Sequence, residues 1–385
     1  MGININRIVL GLTSLIMLSG SLYLTENWRF LHLYLLFIPL FLIIFIGFLR
    51  AYIRINVTIL LISSFFIVFS LIAAAVNSST YLFISTLGLT ILFIGLLIYY
   101  PSLVPKNGNK IIFQSILISH FPIIVLPILF SGLNSKPYQG IFFNPNSFGT
   151  VIVSILAVLL AVLVGIANSE RIKIKKIHFN ILILSIIFAS IGTVLSGSRT
   201  SFVTMIFLFS IAFVLIFAPN NFNKINYKKI LTITFFSLIF ILIIKTMIPI
   251  REITQELIIE KFIRKASSGD VLDSRGVVWT ETIKQAKMFG HGRDFFKSLG
   301  LGAHSTYFSL LGQYGWLATL SFVVFLIVGL RRTIIYTMLS KDIYRYIPLF
   351  ITLTFILLSI TEGMMLKISM LSTIAAFGVV FSFRK

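Results

Sequence analysis

Cysteine is absent from this 385-residue chain, and acidic residues are scarce, with 11 Asp and Glu against 32 Lys and Arg. The absence of cysteine excludes a disulfide framework, a thiolate metal site and a thiol nucleophile. The shortage of acidic residues leaves a formal charge of +21, which in a soluble protein would favour nucleic-acid binding. We also find no internal repeat, no low-complexity tract and no separate soluble domain.

Long apolar runs dominate what is present. Hydrophobic residues make up 58% of the chain, its mean hydropathy is +1.03, and runs of about 20 residues are long enough to cross ~30 Å of hydrocarbon. A transmembrane β-barrel would show short alternating segments instead. The sequence therefore predicts an all-α polytopic membrane protein, with residues 1–385 forming a single integral membrane domain. About twelve transmembrane helices are expected, at roughly 8–24, 30–49, 55–76, 80–100, 111–130, 147–168, 178–196, 200–218, 229–248, 304–330, 345–361 and 364–383.

The basic residues alternate from loop to loop. One set of short loops and termini holds eighteen Lys and Arg, whereas the other set holds four, namely Arg29, Lys136, Arg199 and Lys367. Because cytoplasmic loops of membrane proteins carry the excess of basic residues, both termini are predicted to be cytoplasmic. Much of the positive charge then serves as an orientation signal and attracts anionic membrane lipid. Nucleic acid is therefore not expected as a partner.

Seven of the eleven acidic residues lie in the loop over residues 249–303. This loop separates the ninth and tenth predicted helices, so it is expected on the extracytoplasmic side. Residues 251–266 have the pattern of an amphipathic helix. A second helix is predicted after them, capped by Asp273 or its neighbour and buried through Trp279 and Ile283.

The predicted topology collects several polar side chains at this same face. They are Asn144, Asn146, Arg199, Arg275, Arg293 and His304. Arginine is a planar donor fork suited to phosphate oxygens, and histidine takes up and releases a proton near neutral pH, so an anionic substrate is favoured. Other interpretations stay open: Arg199 capping a helix or snorkelling to headgroups, His304 packed at the interface, and the long loop acting only as a lid. Glu362 and Lys367 flank the last outer turn and are interpreted as a pair.

Several motif classes are missing. The chain has no phosphate-binding glycine loop, no Walker motif and no nucleophile elbow. No His, Asp or Glu cluster has convincing metal-ligand spacing, so no metal or other cofactor is expected. Since nucleotides are absent outside the cytoplasm, a substrate there must arrive already activated. A sugar carried on a lipid diphosphate meets this condition, with arginines neutralising the departing diphosphate and His304 acting as general base on an acceptor hydroxyl.

At these residues the chain resembles the O-antigen ligase and polymerase superfamily of bacterial envelope polysaccharide enzymes. The resemblance covers about residues 140 to 330, and it depends on the order and spacing of short motifs. The matching elements are Ser198-Arg199, Ser274-Arg275-Gly276 with Trp279, Gly290-x-Gly292, His304-Ser-x-Tyr307 with Leu310, Leu311 and Gly315, and, more weakly, Asn146. The family often has His-Asn where this chain has His304-Ser305.

The resemblance implies a membrane fold akin to the GT-C glycosyltransferases and a donor linked to undecaprenyl diphosphate. It implies that Arg199 and Arg275 bind the diphosphate and that His304 serves the acceptor. The remaining residues predicted at the substrate site are Arg293, which the predicted topology places at this face, and four residues of the matching elements: Asn146, Ser198, Tyr307 and Trp279. The expected partners are a lipid-linked oligosaccharide donor and acceptor and membrane lipid; whether a chain-length regulator or a flippase binds stays open.

Three functions are weighed. The first is a polymerase of capsule, exopolysaccharide or O-antigen repeat units in the bacterial cytoplasmic (inner) membrane. A composition rich in Ile, Asn, Lys and Phe favours it, because it indicates an AT-rich genome of the kind common where lipid A is absent. The second is a ligase that moves finished chains to another acceptor. The third is a flippase or transporter of lipid-linked sugars, which would need charged residues inside the spans, where only Lys245 is found.

Overall fold

A computed structural model describes most of the chain. The described residues are 4–25, 27–50, 53, 56–131, 137–169, 176–217, 259–260, 263, 267, 275–300 and 302–383. Across them the regular structure is helical, apart from one isolated β-bridge between Thr25 and Phe142. The predicted span over 229–248 and the predicted cap at Asp273 lie outside the described residues, as does most of the amphipathic helix over 251–266.

Nine helices in the described part are long and apolar enough to cross a membrane, as expected of a polytopic membrane protein. They are α1 (Ile5–Leu22), α2 (Leu31–Leu49), α3 (Val57–Val76), α4 (Thr80–Leu103), α5 (Gly108–Ser131), α6 (Pro145–Ala167), α7 (Lys176–Leu195), α8 (Arg199–Phe217) and α11 (Thr306–Leu339). Two shorter apolar helices, α12 (Ile347–Thr361) and α13 (Ile368–Ser382), follow. The two remaining helices are polar and short: α9 (Arg275–Lys284) and α10 (Phe295–Ser298).

Asparagine and serine start many of these helices. In each case the side-chain oxygen accepts a hydrogen bond from a backbone N–H of the first turn, which no helical carbonyl can serve. The capping residues are Asn4, Asn56, Ser79, Asn144 and Ser305. Polar residues at the ends of apolar runs therefore define where the helices begin.

Helix α6 is the centre of the bundle. About nine-tenths of its apolar span is buried, against half or less for the other eight long helices, and it packs against α7, α8 and α12. Gly149 near its start and Gly165 near its end allow other segments to approach closely, because a Cβ atom at Gly165 would collide with the backbone of Ile343. The core helix is thus closely packed at both ends, against serine side chains at Gly149 and against the Ile343 backbone at Gly165.

The connections between helices gather at two ends of the bundle. At one end, which we call the Glu362 end, Asn77 donates to the Phe289 carbonyl at 2.8 Å and Thr200 bonds Thr361 at 2.6 Å. At the other, the Tyr346 end, Asn168 donates to the Tyr346 hydroxyl at 3.1 Å. These contacts place three short connections poor in basic residues, α3–α4, α7–α8 and α12–α13, with the long loop at the Glu362 end. They place the α6–α7 and α11–α12 connections, which are rich in basic residues, at the Tyr346 end.

Helix α11 is broken at Gly315, whose backbone has φ +85° and ψ −176°. The sequence predicts an uninterrupted span over 304–330, and the structure interrupts it. Residues 287–292 pair with the break: Trp316 N–H donates to the Lys287 carbonyl at 3.1 Å, and Gly292 N–H donates to the Gln313 carbonyl at 3.1 Å. The loop thus satisfies backbone groups that the break leaves without helical partners, which a break inside a membrane protein requires.

The break gives α11 two segments with different neighbours. The second segment packs along α3, where the Phe66 and Phe322 rings lie 5.2 Å apart. The first segment, residues 306–314, joins the α12–α13 connection at Thr306 to the loop paired with the break at its other end. This segment therefore carries the residues after His304 across the Glu362 end.

Helix α9 buries a different side from the one predicted. Val278 and Thr282 are its buried residues, and Trp279 is half-buried. Ile283 is 53% exposed, so the prediction that it lies on the buried side is wrong. Helix α9 packs against α11 along one narrow face, and Ile283 lies outside this contact.

Candidate functional site

The site centres on Glu362, which follows the last residue of α12. One oxygen of its carboxylate lies 3.5 Å from Nη2 of Arg275, the first residue of α9. Both side chains are largely buried, with 19% of Arg275 and 12% of Glu362 exposed. The pair ties the long polar loop to the connection between α12 and α13.

The start of α11 is bonded into the same connection. Thr306 Oγ1 donates to the Glu362 carbonyl at 3.1 Å and accepts from Met364 N–H at 2.8 Å. Ser305, which stands where the similar family often has Asn, donates to the Ser359 carbonyl at 3.2 Å while capping α11. These bonds fix the backbone immediately after His304 against Glu362.

His304 itself has an unusual conformation. Its φ is +46°, a left-handed backbone that costs most residues about 1–3 kcal/mol when the surrounding structure imposes it. The side chain is exposed, although the next two residues are buried and bonded to α12 and to Glu362. His304 therefore directly precedes the segment bonded to the Glu362 connection, and its side chain is exposed near Gly302.

The turn before α8 brings Arg199 to this end. Ser198 is buried, and its Oγ accepts from Ser201 Oγ at 3.0 Å and Ser201 N–H at 3.4 Å, so it caps α8. Thr200 Oγ1 lies 2.6 Å from Thr361 Oγ1, next to Glu362. Arg199 is half-buried and belongs to the same cluster of connections as Arg275, whereas Ser198 has a capping role in this geometry.

Asn146 lies next to this turn. A Cβ atom at Gly149 would be 2.8 Å from the side chains of Ser196, Ser198 and Ser201, so the start of α6 packs directly on the turn. Asn146 is exposed one helical turn earlier on the same face as Gly149. Its neighbour Asn144 caps α6 by accepting from Ser147 N–H at 2.8 Å.

Trp279 and Tyr307 connect the loop and α11 to their surroundings. Trp279 Nε1 donates to the Ala303 carbonyl at 2.8 Å, and its ring stacks on Phe308 at 4.7 Å. The Tyr307 hydroxyl donates to the Ile356 carbonyl at 3.4 Å. Trp279 thus clamps α9 against the residues on both sides of His304, and Tyr307 anchors the same segment to α12.

Arg293 lies with a different connection. Its guanidinium is 4.3 Å from the centre of the Tyr81 ring, at the start of α4. Residues 287–292 pair with the broken helix α11. This part of the loop lies at the α3–α4 turn, where Gly292 packs on Asn77. Among the described residues, the contact of Arg293 is with Tyr81 and not with Glu362.

The sequence predicts Lys367 only as a partner for Glu362, and the structure shows in addition that Lys367 is buried. Its side chain is 8% exposed, and burial lowers the pKa of its ammonium group, an effect that the Glu362 carboxylate partly offsets. Lys367 is also one of the four basic residues in loops that otherwise lack positive charge. This position is a sequence signal that it has a role other than orientation. Arg275 and Lys367 therefore share the Glu362 carboxylate, and Arg199 stands in the turn that bonds to the residue before Glu362.

This arrangement can bind an anion and move a proton. Partly buried cations attract an oxyanion more strongly than exposed ones, because water screens them less. An exposed histidine beside them can accept a proton from a hydroxyl held there. No protein-family model, curated protein or solved structure matches this chain.

Proposed function

We propose that this chain is a glycosyltransferase that polymerises bacterial surface polysaccharide at the outer face of the cytoplasmic membrane. Its donor would be a growing glycan on undecaprenyl diphosphate, and its acceptor a single lipid-linked repeat unit. The observation that carries the proposal is the convergence of Arg275, Arg199 and the exposed His304 on the Glu362 connection. These residues come from three separate parts of the sequence.

The reaction assigns each of these residues a task. Arg275 and Arg199 bind the donor diphosphate, because guanidinium groups match phosphate oxygens. His304 takes the proton of the acceptor hydroxyl, whose oxygen forms the new bond to the anomeric carbon. The bond from that carbon to the diphosphate breaks on the opposite side, so the anomeric centre inverts and undecaprenyl diphosphate leaves with the bonding electrons. The arginines stabilise the charge that develops on it.

The topology belongs to the same proposal. It comprises about twelve spans in a GT-C-like fold, cytoplasmic termini and an extracytoplasmic site. The alternation of basic residues in the sequence supports the assignment of sides, and the contacts among connections at two ends of the bundle agree with that alternation. The reaction as written needs no metal or other cofactor, since the diphosphate leaving group supplies the energy.

The proposal is tested by reconstitution. Purified full-length protein in vesicles is supplied with lipid-linked repeat units, and the products are separated by size. The expected result is a ladder of longer glycans, lost in His304→Ala and Arg275→Ala while both variants remain folded. Lys297→Met is the matched control, because Lys297 is exposed and, among the described residues, its ion pair is with the neighbouring Asp294, at 2.6 Å.

The other outcomes separate the alternatives. Normal ladders from both variants would remove the site assignment. A ligase would leave long glycan on the lipid in these variants and lose only its transfer to another acceptor. A transporter would relocate the lipid-linked unit across the vesicle without forming a glycosidic bond.

A further inference from the structure

Lys367 is a buried cation that the proposed reaction does not use. It stands immediately before α13, and its side chain is 8% exposed. Placing an ammonium group there costs several kcal/mol unless an anion and hydrogen-bond acceptors compensate it. In the described part of the chain, the only charged group that acts on it is the Glu362 carboxylate.

That carboxylate is already engaged. Glu362 lies 3.5 Å from Arg275, so one negative charge faces two largely buried positive ones. A second anion at this position would balance the local charge, whereas a further cation would not. At the Tyr346 end the Asp342 carboxylate also faces two cations, Lys110 and Arg345, but Lys110 there is exposed to solvent.

Further hydrogen-bond donors lie next to Lys367. The first turn of α13 has no side-chain cap, so its N–H groups have no side-chain acceptor. Ser369 in that turn is 1% exposed, and its hydroxyl has no hydrogen-bond partner among the described residues. An uncapped helix start with a buried lysine and a buried unpaired hydroxyl is a combination that favours a phosphate group.

The backbone holds this lysine in a fixed place. Leu366, just before it, has φ +58°, one of three left-handed non-glycine residues in the described chain. On the other side, a Cβ atom at Gly20 of α1 would lie 2.6 Å from the Ile368 nitrogen, so α1 packs closely on the start of α13. A strained residue between two packed elements is typical of a position maintained for function.

We propose that Lys367 binds phosphate: its ammonium group and the Ser369 hydroxyl hold one phosphate of a lipid diphosphate while Arg275 holds the other. This inference rests on the proposed function and deepens it by dividing the two phosphates between α9 and α13. Each phosphate of such a donor carries about one negative charge, and charge-assisted bonds to lysine and arginine are the strong ones. A phospholipid headgroup offers the same phosphate chemistry, so the experiment must distinguish the two sources.

The test measures binding directly. Purified full-length protein in nanodiscs is titrated with undecaprenyl diphosphate, and the Kd is compared among variants. Lys367→Met, which keeps the length of the side chain, is expected to weaken binding at least tenfold, and Lys367→Arg to restore most of it. Ser369→Ala is expected to weaken binding about threefold to tenfold. Lys297→Met, an exposed lysine at the same end, should bind like the wild type.

Two further readouts complete the test. The Tm of Lys367→Met should equal or exceed that of the wild type, because the substitution removes the desolvation cost of a buried charge that Glu362 only partly compensates. If this variant does not fold, Lys367→Gln and Ser369→Ala carry the test. Excess phosphatidylglycerol as competitor distinguishes the sources: a diphosphate site keeps its affinity, and equal competition would overturn the assignment to the lipid diphosphate.

The inference and the proposed function can fail separately. Wild-type protein that neither binds undecaprenyl diphosphate nor extends glycans would remove both. Tight binding by the wild type together with unchanged binding by folded Lys367→Met and Ser369→Ala would overturn the role of Lys367 alone.

Discussion

At the Tyr346 end of the bundle, the hydrogen bonds of Arg345 and Asp342 stay within their own loop, whereas at the Glu362 end Arg275 pairs with a carboxylate from a distant element. Arg345 donates to the Ser340 carbonyl at 2.7 Å and to the Tyr346 hydroxyl at 3.2 Å, and Asp342 accepts from Tyr344 N–H at 3.2 Å. In contrast, Arg275 reaches a carboxylate 87 residues further along, from position 275 to 362.

The contrast has a physical meaning. A charged group that bonds to its own loop stabilises that loop and is satisfied locally. Charged groups that converge from distant elements must be desolvated together. This costs free energy, so a role in stability alone explains such a cluster poorly. The Glu362 end adds a left-handed His304 with an exposed side chain. We therefore expect substitutions at the Tyr346 end to change stability, and those at the Glu362 end to change activity.

The largest effect is expected from the arginines. Arg275→Ala and Arg199→Ala should each slow glycan extension about 10²- to 10³-fold, because each removes a donor that stabilises the leaving diphosphate. Initial rates in reconstituted vesicles measure this. Arg293→Ala is the matched control from the same loop, since Arg293 stacks on Tyr81, and it should retain most of the rate. Equal loss of rate in all three variants would contradict the distinct roles of Arg275 and Arg199 on one side and Arg293 on the other.

Gly315→Ala is the next largest change. The backbone at Gly315 has φ +85°, and a Cβ atom there would collide with Gly290 N and the carbonyls of residues 287 and 288. The strain and the lost pairing should lower the free energy of unfolding by about 2–4 kcal/mol, as measured by thermal unfolding in detergent. Gly11→Ala is the control, because no atom lies within 4 Å of a Cβ there. A stable Gly315→Ala variant would show that the break tolerates a side chain.

Arg345→Ala sharpens the comparison from the other end. Losing its bonds to Ser340 and Tyr346 should lower the free energy of unfolding by about 1–2 kcal/mol. The rate of glycan extension per folded molecule should stay close to that of the wild type. If the rate falls as it does in Arg275→Ala, the distinction between the two ends is lost.

The smallest effect concerns pH. Burial raises the pKa of Asp342, so the folded state holds its proton more tightly than the unfolded chain does. Stability from this group is greatest below the unfolded pKa, near pH 4, and decreases as the pH rises through the folded value. Asp342→Asn should remove that decrease and leave stability at pH 7 equal or slightly higher. Melting curves at pH 4 and pH 7 measure it; a clear loss at pH 7 would show that the charged form is needed.

Part of the candidate site could be predicted from the sequence, because the positions of basic residues in the loops indicate which residues share a face. The alternation of basic residues placed Arg199, Arg275 and His304 at one face, and the structure brings their segments together at the Glu362 connection. The same reasoning also included Arg293, which lies instead on Tyr81. Topology restricts a residue to a face of the membrane, but only packing decides where on that face it lies.

The sequence by itself determined the class of the protein. Apolar runs of membrane-spanning length require helices, because backbone groups in lipid must bond within their own segment, and helix caps follow from local residues. Only the tertiary structure decided three other features: the break at Gly315, the pairing of Glu362 with Arg275, and the burial of Lys367. Each depends on contacts between elements far apart in the chain, which periodicity and charge counting do not encode.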